Sequence, residues 1–135
     1  MPKGRRNWCS AACVTAFKLE HDWQYIRFRV HKRDHGVCAI CRCDCDKIAR
    51  IERWVAHDGY YNGKQFLWNW LASIGFTRGI GLWQADHIVP RVLGGTNALE
   101  NLRTVCIPCH KGVTAQLAAS RAADRRDAKR PLLKG

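Results

Sequence analysis

The sequence predicts an α+β fold: a small core of two short strands and one helix, with extra helices around it and cysteines tying it together. Three observations predict this. Two short apolar runs, "GLWQADH" and "LRTVC", flank a loop punctuated by Gly94 and Gly95, and a long stretch of helical periodicity follows them. Earlier segments repeat their apolar residues at helical spacing and stop at glycines. Cys38-x-x-Cys41 recurs as Cys106-x-x-Cys109, so that two thiol pairs of equal spacing bracket the middle of the chain.

A chain of 135 residues buries a smaller share of its surface than a large domain does, and it benefits from a staple. Eight cysteines offer one. The start "MPKGRRNWCS" has no apolar segment behind its basic residues, and no run of about 18 apolar residues occurs anywhere. These features predict a cytoplasmic protein without a membrane span, where paired cysteines favour zinc over disulfides. Cys38, Cys41, Cys106 and Cys109 would then hold one structural zinc ion in a closed tetrahedron, with sulfurs at about 2.3 Å. Cys9, Cys13, Cys43 and Cys45 remain open between a second zinc site and free or buried thiols, because the one-residue gap in Cys43-x-Cys45 strains chelation.

A formal charge of +12 and a pI near 9.8 exceed what solubility asks of a small domain. They point to a polyanionic partner, with nucleic acid the leading candidate.

The elements follow in order. "CSAACVTAFKLEH" reads as a short helix with Ser10 as N-cap. "YIRFRVHKRDHG" fits both a strand and a helix, since Ile26, Phe28 and Val30 alternate while Ile26 and Val30 also share a helical face; Gly36 ends it either way. Ile48, Ile51 and Val55 mark a helix from Lys47 to Val55. A second helix in "KQFLWNWLASIG" carries the stripe Leu67, Trp70, Leu71 and Ile74 and closes at Gly75. Both helices read as an insert at about residues 47–80, and Trp54, Trp68 and Trp70 as packing residues rather than base-stacking ones. The first strand should end near Asp86, because Pro90 cannot donate to a ladder. "LRTVC" should pair with it. After Pro108 a helix should run to about Ala128, with Val113 and Leu117 inward and Arg121, Arg125 and Arg126 outward; Gly112 weakens it by about 1 kcal/mol relative to alanine. The expected division is a basic helical extension at 1–35, a central domain at 36–120 and a basic tail at 121–135.

"DHIVPRVLGGTNALENLRTVCIPCHKGVT" sets Asp86 beside His87, Asn101 in the loop, and His110 directly after the second cysteine knuckle. This pattern resembles the HNH endonuclease family, and the match extends from Gly36 to about Ala119 around the insert. The flanks "WCSAACVTAF" and "WQADHIVP" are similar to small bacterial and phage HNH proteins and to the nuclease domain of certain annealing helicases. The resemblance implies a zinc-stabilised ββα-metal, treble-clef-like fold. It implies Asp86 and His110 as ligands of one catalytic divalent ion, His87 as general base and Asn101 as the residue orienting the His87 ring, with Asn97 able to take its place. Two protein ligands leave most of a six-coordinate shell for water and phosphate oxygens, which suits Mg2+ or Mn2+, with other divalent ions possible. Imidazole, with an ordinary pKa of about 6.5, is the side chain suited to accept a proton from an attacking water at neutral pH.

The implied activity is metal-dependent hydrolysis of DNA to 5′-phosphate and 3′-hydroxyl ends. Lys111, Arg121, Arg125 and Arg126 are the expected phosphate contacts, which position a duplex without reading sequence. A non-catalytic zinc-stabilised DNA-binding module, or a site-specific restriction-type nuclease acting as a dimer, are the alternatives. The expected setting is a bacterial or phage-infected cytoplasm, and monomer and homodimer both stay open.

Overall fold

The computed structural model describes residues 10–57 and 62–131. Among these residues, five α-helices and a two-stranded antiparallel sheet follow in the order α1 (Ala11–His21), α2 (Trp23–Asp34), α3 (Cys45–His57), α4 (Gly63–Ser73), β1 (Trp83–His87), β2 (Leu102–Cys106) and α5 (Ile107–Ala128).

Side-chain oxygens start both N-terminal helices. Ser10 Oγ accepts from the Cys13 backbone N–H at 3.2 Å, and Asp22 Oδ1 accepts from that of Tyr25 at 3.0 Å. The segment that fitted either period is helical, and burial shows why. Ile26 and Val30, four residues apart, are 1% and 0% exposed against Ala85 and Leu102, whereas Phe28, which a strand would align with them, is 54% exposed. His35 and Gly36 then take positive φ to end α2, and at Gly36 any Cβ would collide with the Asp46 carboxylate.

Arg33 and Asp34 tie the end of α2 to the sheet. Arg33 donates to the Leu99 and Leu102 carbonyls, each at 2.7 Å, and Asp34 Oδ2 accepts from the Thr104 backbone N–H at 3.0 Å. Arg33, one of the basic residues of the N-terminal third, is therefore engaged inside the fold.

Trp83 pairs with Cys106 and His87 with Leu102, so the sheet has the two strands expected. A second core lies beyond it, where Trp68, Leu71, Phe76, Leu82, Val105, Cys106 and Ile107 are buried together. Burying a side chain such as Leu71, 0% exposed, stabilises by about 1.5–3 kcal/mol. The expected stripe of α4 is rotated: Trp68 and Leu71 are its buried residues, while Trp70 and Ile74 are exposed. Spacing alone does not separate Trp68 from Trp70. The Trp68 indole N–H donates to Glu52 Oε1 at 2.9 Å, and that partner lets this ring go inside. Trp54 is 58% exposed, so among these three tryptophans the packing expectation holds only for Trp68.

α5 begins at the end of β2 with Pro108 in its first turn, where a missing N–H costs nothing. Its first turns pack on both strands, and from Ala118 to Ala128 every residue is exposed.

Burial opposes ionisation of Asp34, but the Arg33 guanidinium and the Thr104 N–H outweigh it and hold the carboxyl below the usual carboxylate range. The native pKa thus lies below the unfolded value of about 3.9, so its stabilisation is complete above that value and is lost as pH falls through the native one. Asp34→Asn should flatten the acid limb of stability against pH in urea titrations between about pH 5 and pH 2.

Candidate active site and metal centre

Val37 and Asp44 pair across a small turn in which the Cys38 N–H donates to the Cys43 carbonyl at 2.9 Å and Arg42 takes φ of 65°. The Ala39 N–H reaches the Thr104 carbonyl at 2.8 Å, which docks this knuckle on β2. Cys106 ends β2 and Cys109 sits in the first turn of α5. The two knuckles therefore meet: the ligand atoms of Cys38, Cys41, Cys106 and Cys109 all lie within 4.8 Å of one another, with Cys41 and Cys106 sulfurs 3.6 Å apart. Thiolates at about 2.3 Å from a tetrahedral ion are separated by about 3.8 Å, so the set is positioned to bind a metal, and four sulfur donors suit zinc.

Charge supports this. Burial works against the Cys38 thiolate, but backbone N–H donors of Cys106, Cys41 and Ile40 bring its pKa down to about 6. Burial raises Cys106 and pushes Cys109 up to about 11. Four thiolates held together require a cation.

Cys45 does not extend the cage. Its buried Sγ points to the Leu82 carbonyl at 3.6 Å, and burial, then the Cys43 sulfur, pushes the thiol up to about 12. Among the described residues the four-cysteine set is the one cluster of three or more His, Cys, Asp or Glu side chains close enough to share an ion, and Cys9 lies outside them.

Asp86 and His87 close β1, and the pleat turns them to opposite faces. Arg103, directly across the ladder from Asp86, donates from Nε and Nη2 to Asp86 Oδ2 at 3.2 and 3.1 Å. Both bonds fall on Oδ2, which leaves Oδ1 for a ligand. His110 follows Cys109 in the first turns of α5, half-buried.

The loop from Ile88 to Asn101 is strapped by one side chain. Asn101 Oδ1 accepts from the Val89 N–H at 2.8 Å, while Nδ2 donates to the Val89 and Thr96 carbonyls at 3.1 and 2.8 Å. The two glycines serve this strap differently. Gly94, at φ of 91°, ends a short turn, whereas a Cβ at Gly95 would strike the Val89 carbonyl and crowd Asn101 Nδ2.

The direct bond to the His87 ring comes from Asn97, not Asn101: His87 Nε2 and Asn97 Oδ1 are 2.9 Å apart. Asn101 acts one step back, by holding the loop that presents Asn97. Arg91 Nη1 donates to the same Asn97 oxygen at 3.0 Å. An oxygen facing two nitrogens accepts from both, so neutral His87 carries its proton on Nε2 and its lone pair on Nδ1.

Among the expected phosphate contacts, Arg121, Arg125 and Arg126 lie on the exposed half of α5. Lys111 differs, since its ammonium donates to the Gly75 carbonyl at 2.9 Å and Thr77 Oγ1 at 2.7 Å, tying α5 to the end of α4. Arg103 and Arg91 escaped the sequence reading. Arg103 could have been found by counting the ladder from Asp86, whereas no local signal marks Arg91.

Two strands joined by a strapped loop and a helix that opens on a cysteine knuckle form a ββα unit, with Asp86 and His87 at the strand end. The chain belongs to the HNH endonuclease family, whose model matches residues 75–116. It is 34% identical over 131 residues to the DNA annealing helicase and endonuclease ZRANB3 of Mus musculus, and 32% over 127 residues to that of Homo sapiens. These alignments cover 88% of the chain but 12% of each relative, so the chain spans about an eighth of their length. The crystal structure of the human ZRANB3 HNH domain superposes with a TM-score of 0.60 at 30% identity, covering 78% of this chain and 97% of that one. These relatives are mammalian, and the bacterial or phage origin expected from the sequence has no support among them. No helix among the described residues is long and apolar enough to cross a membrane.

Metal analysis by inductively coupled plasma mass spectrometry should find one zinc per chain, lost in Cys106→Ala together with cooperative unfolding and retained in Cys43→Ser. Equal zinc in both variants would remove Cys106 from the cage.

Proposed function

We propose that this domain is a metal-dependent DNA endonuclease that hydrolyses phosphodiester bonds with low sequence specificity. The observation that carries the reading is the His87–Asn97 hydrogen bond, which frees Nδ1 as a proton acceptor; the preceding residue, Asp86, is a carboxylate with one oxygen left for a ligand.

Asp86 through Oδ1 and the His110 imidazole would hold a divalent ion, Mg2+ or Mn2+. Bound there, such an ion supplies positive charge to a phosphate and to a departing 3′ oxygen. Arg103 holds Asp86 Oδ2 and so aims the carboxylate, while its own guanidinium stays paired. His87 Nδ1 takes a proton from water as the water oxygen bonds to phosphorus, and the resulting imidazolium keeps its Nε2–H on Asn97. The bond from phosphorus to the 3′ oxygen breaks, and that oxygen takes up a proton from solvent, leaving 5′-phosphate and 3′-hydroxyl ends. Cys109, one residue before His110, makes the zinc cage the anchor of that ligand.

DNA is the proposed partner on charge as well as family. Arg121, Arg125 and Arg126 form an exposed basic arm on α5, suited to phosphates on the flank of the cut.

Purified protein should nick supercoiled plasmid with Mg2+ or Mn2+ and not with EDTA. His87→Ala should lower the rate by about 10²–10⁴-fold with DNA binding and zinc content unchanged. Full metal-dependent cutting by His87→Ala would contradict the role of His87, and a folded wild type that binds DNA without cutting would favour the non-catalytic module.

A further inference from the structure

The hydrogen bond to Asn97 holds the His87 ring at one edge, and a ring held at one edge can still tilt about that contact. A second contact fixes the plane. The Trp23 indole lies parallel to the imidazole, with centroids 6.0 Å apart and planes 9° from each other, an offset stack.

Trp23 is delivered by a rigid element. It is the first residue of α2, whose start is pinned by the Asp22 cap, and Ile26, one turn on, is 1% exposed against the sheet that carries His87. Trp23 is 40% exposed, so core filling alone does not account for a tryptophan there. Trp23 also lies outside residues 75–116, the part that the family model matches. The N-terminal helical layer thus reaches the catalytic end of β1 from beyond the ββα unit.

We propose that Trp23 is a positioning residue: its ring fixes the plane of His87, so that Nδ1 faces the attacking water while Asn97 holds the opposite nitrogen. The proposal rests on the reading of His87 as the general base. Contacts that orient a reacting group by about an ångström can be worth up to about 100-fold in rate, and the effect belongs in turnover rather than in affinity.

The test compares the wild-type chain, Trp23→Ala and Trp23→Phe in plasmid nicking with Mn2+, with duplex binding and zinc content measured on the same preparations. Trp23→Ala should cut about 10–100-fold more slowly at saturation with KM and binding nearly unchanged, and Trp23→Phe, which keeps a planar face, should restore most of the rate. The His87 imidazole carbon-bound protons, followed by NMR, should shift in Trp23→Ala as the ring current is lost. If Trp23→Ala does not fold, Trp23→Leu, apolar but without a ring, replaces it and should behave in the same way. Wild-type turnover in the ringless variant, or unmoved His87 resonances, would overturn the role while leaving the nuclease reading intact. A wild type that binds DNA and never cuts would overturn both.

Discussion

The constraint on which everything else depends is the convergence of four sulfurs from two distant stretches of chain. Cys38 and Cys41 come from a turn before α3, Cys106 and Cys109 from the end of β2 and the start of α5, and their ligand atoms gather within 4.8 Å. Without a cation the gathering is self-opposing, because burial raises Cys106 and Cys109 while Cys38 ionises readily. A bound ion reverses the sign and turns repulsion into a cross-link. The cross-link sets where α5 begins, and so where His110 stands relative to β1.

The second organising device works by hydrogen bonds alone. The Asn101 amide pairs with both backbone groups of Val89 as a peptide would, and adds Thr96. It holds the loop in register with the strands. Gly95 makes room for that closeness, and Asn97 is thereby carried to the His87 ring. Two asparagines four residues apart divide the contacts: Asn101 straps the loop and Asn97 meets the His87 ring. Arg103 completes the pattern on the other face by holding one oxygen of Asp86.

Much of this was legible in the sequence because it depends on spacing. The strands and the knuckles follow from residue types at short fixed intervals, and the extents of β1, β2 and α5 match closely, whereas Asp86, His87 and His110 were singled out by the family resemblance. Three things were not legible, each for a physical reason. Period could not separate strand from helix in α2, since Ile26 and Val30 satisfy both, and the packing of those two residues on Ala85 decided it. The inward face of α4 turned on a hydrogen bond from Trp68 to Glu52, sixteen residues away. The Trp23–His87 stack joins residues 64 positions apart and leaves no local trace. Tertiary partners, rather than propensity, settled all three.

The central claim is that one domain holds two ions in separate roles, a zinc ion in the cysteine cage and a divalent ion at Asp86 and His110. Electron paramagnetic resonance of Mn2+ binding to zinc-loaded wild type and Asp86→Ala, at matched zinc content, tests it directly. The account predicts one Mn2+ site in the wild type, lost in the variant while its zinc stays in place. Equal Mn2+ uptake by the two proteins, or Mn2+ that enters only by displacing zinc, would contradict it.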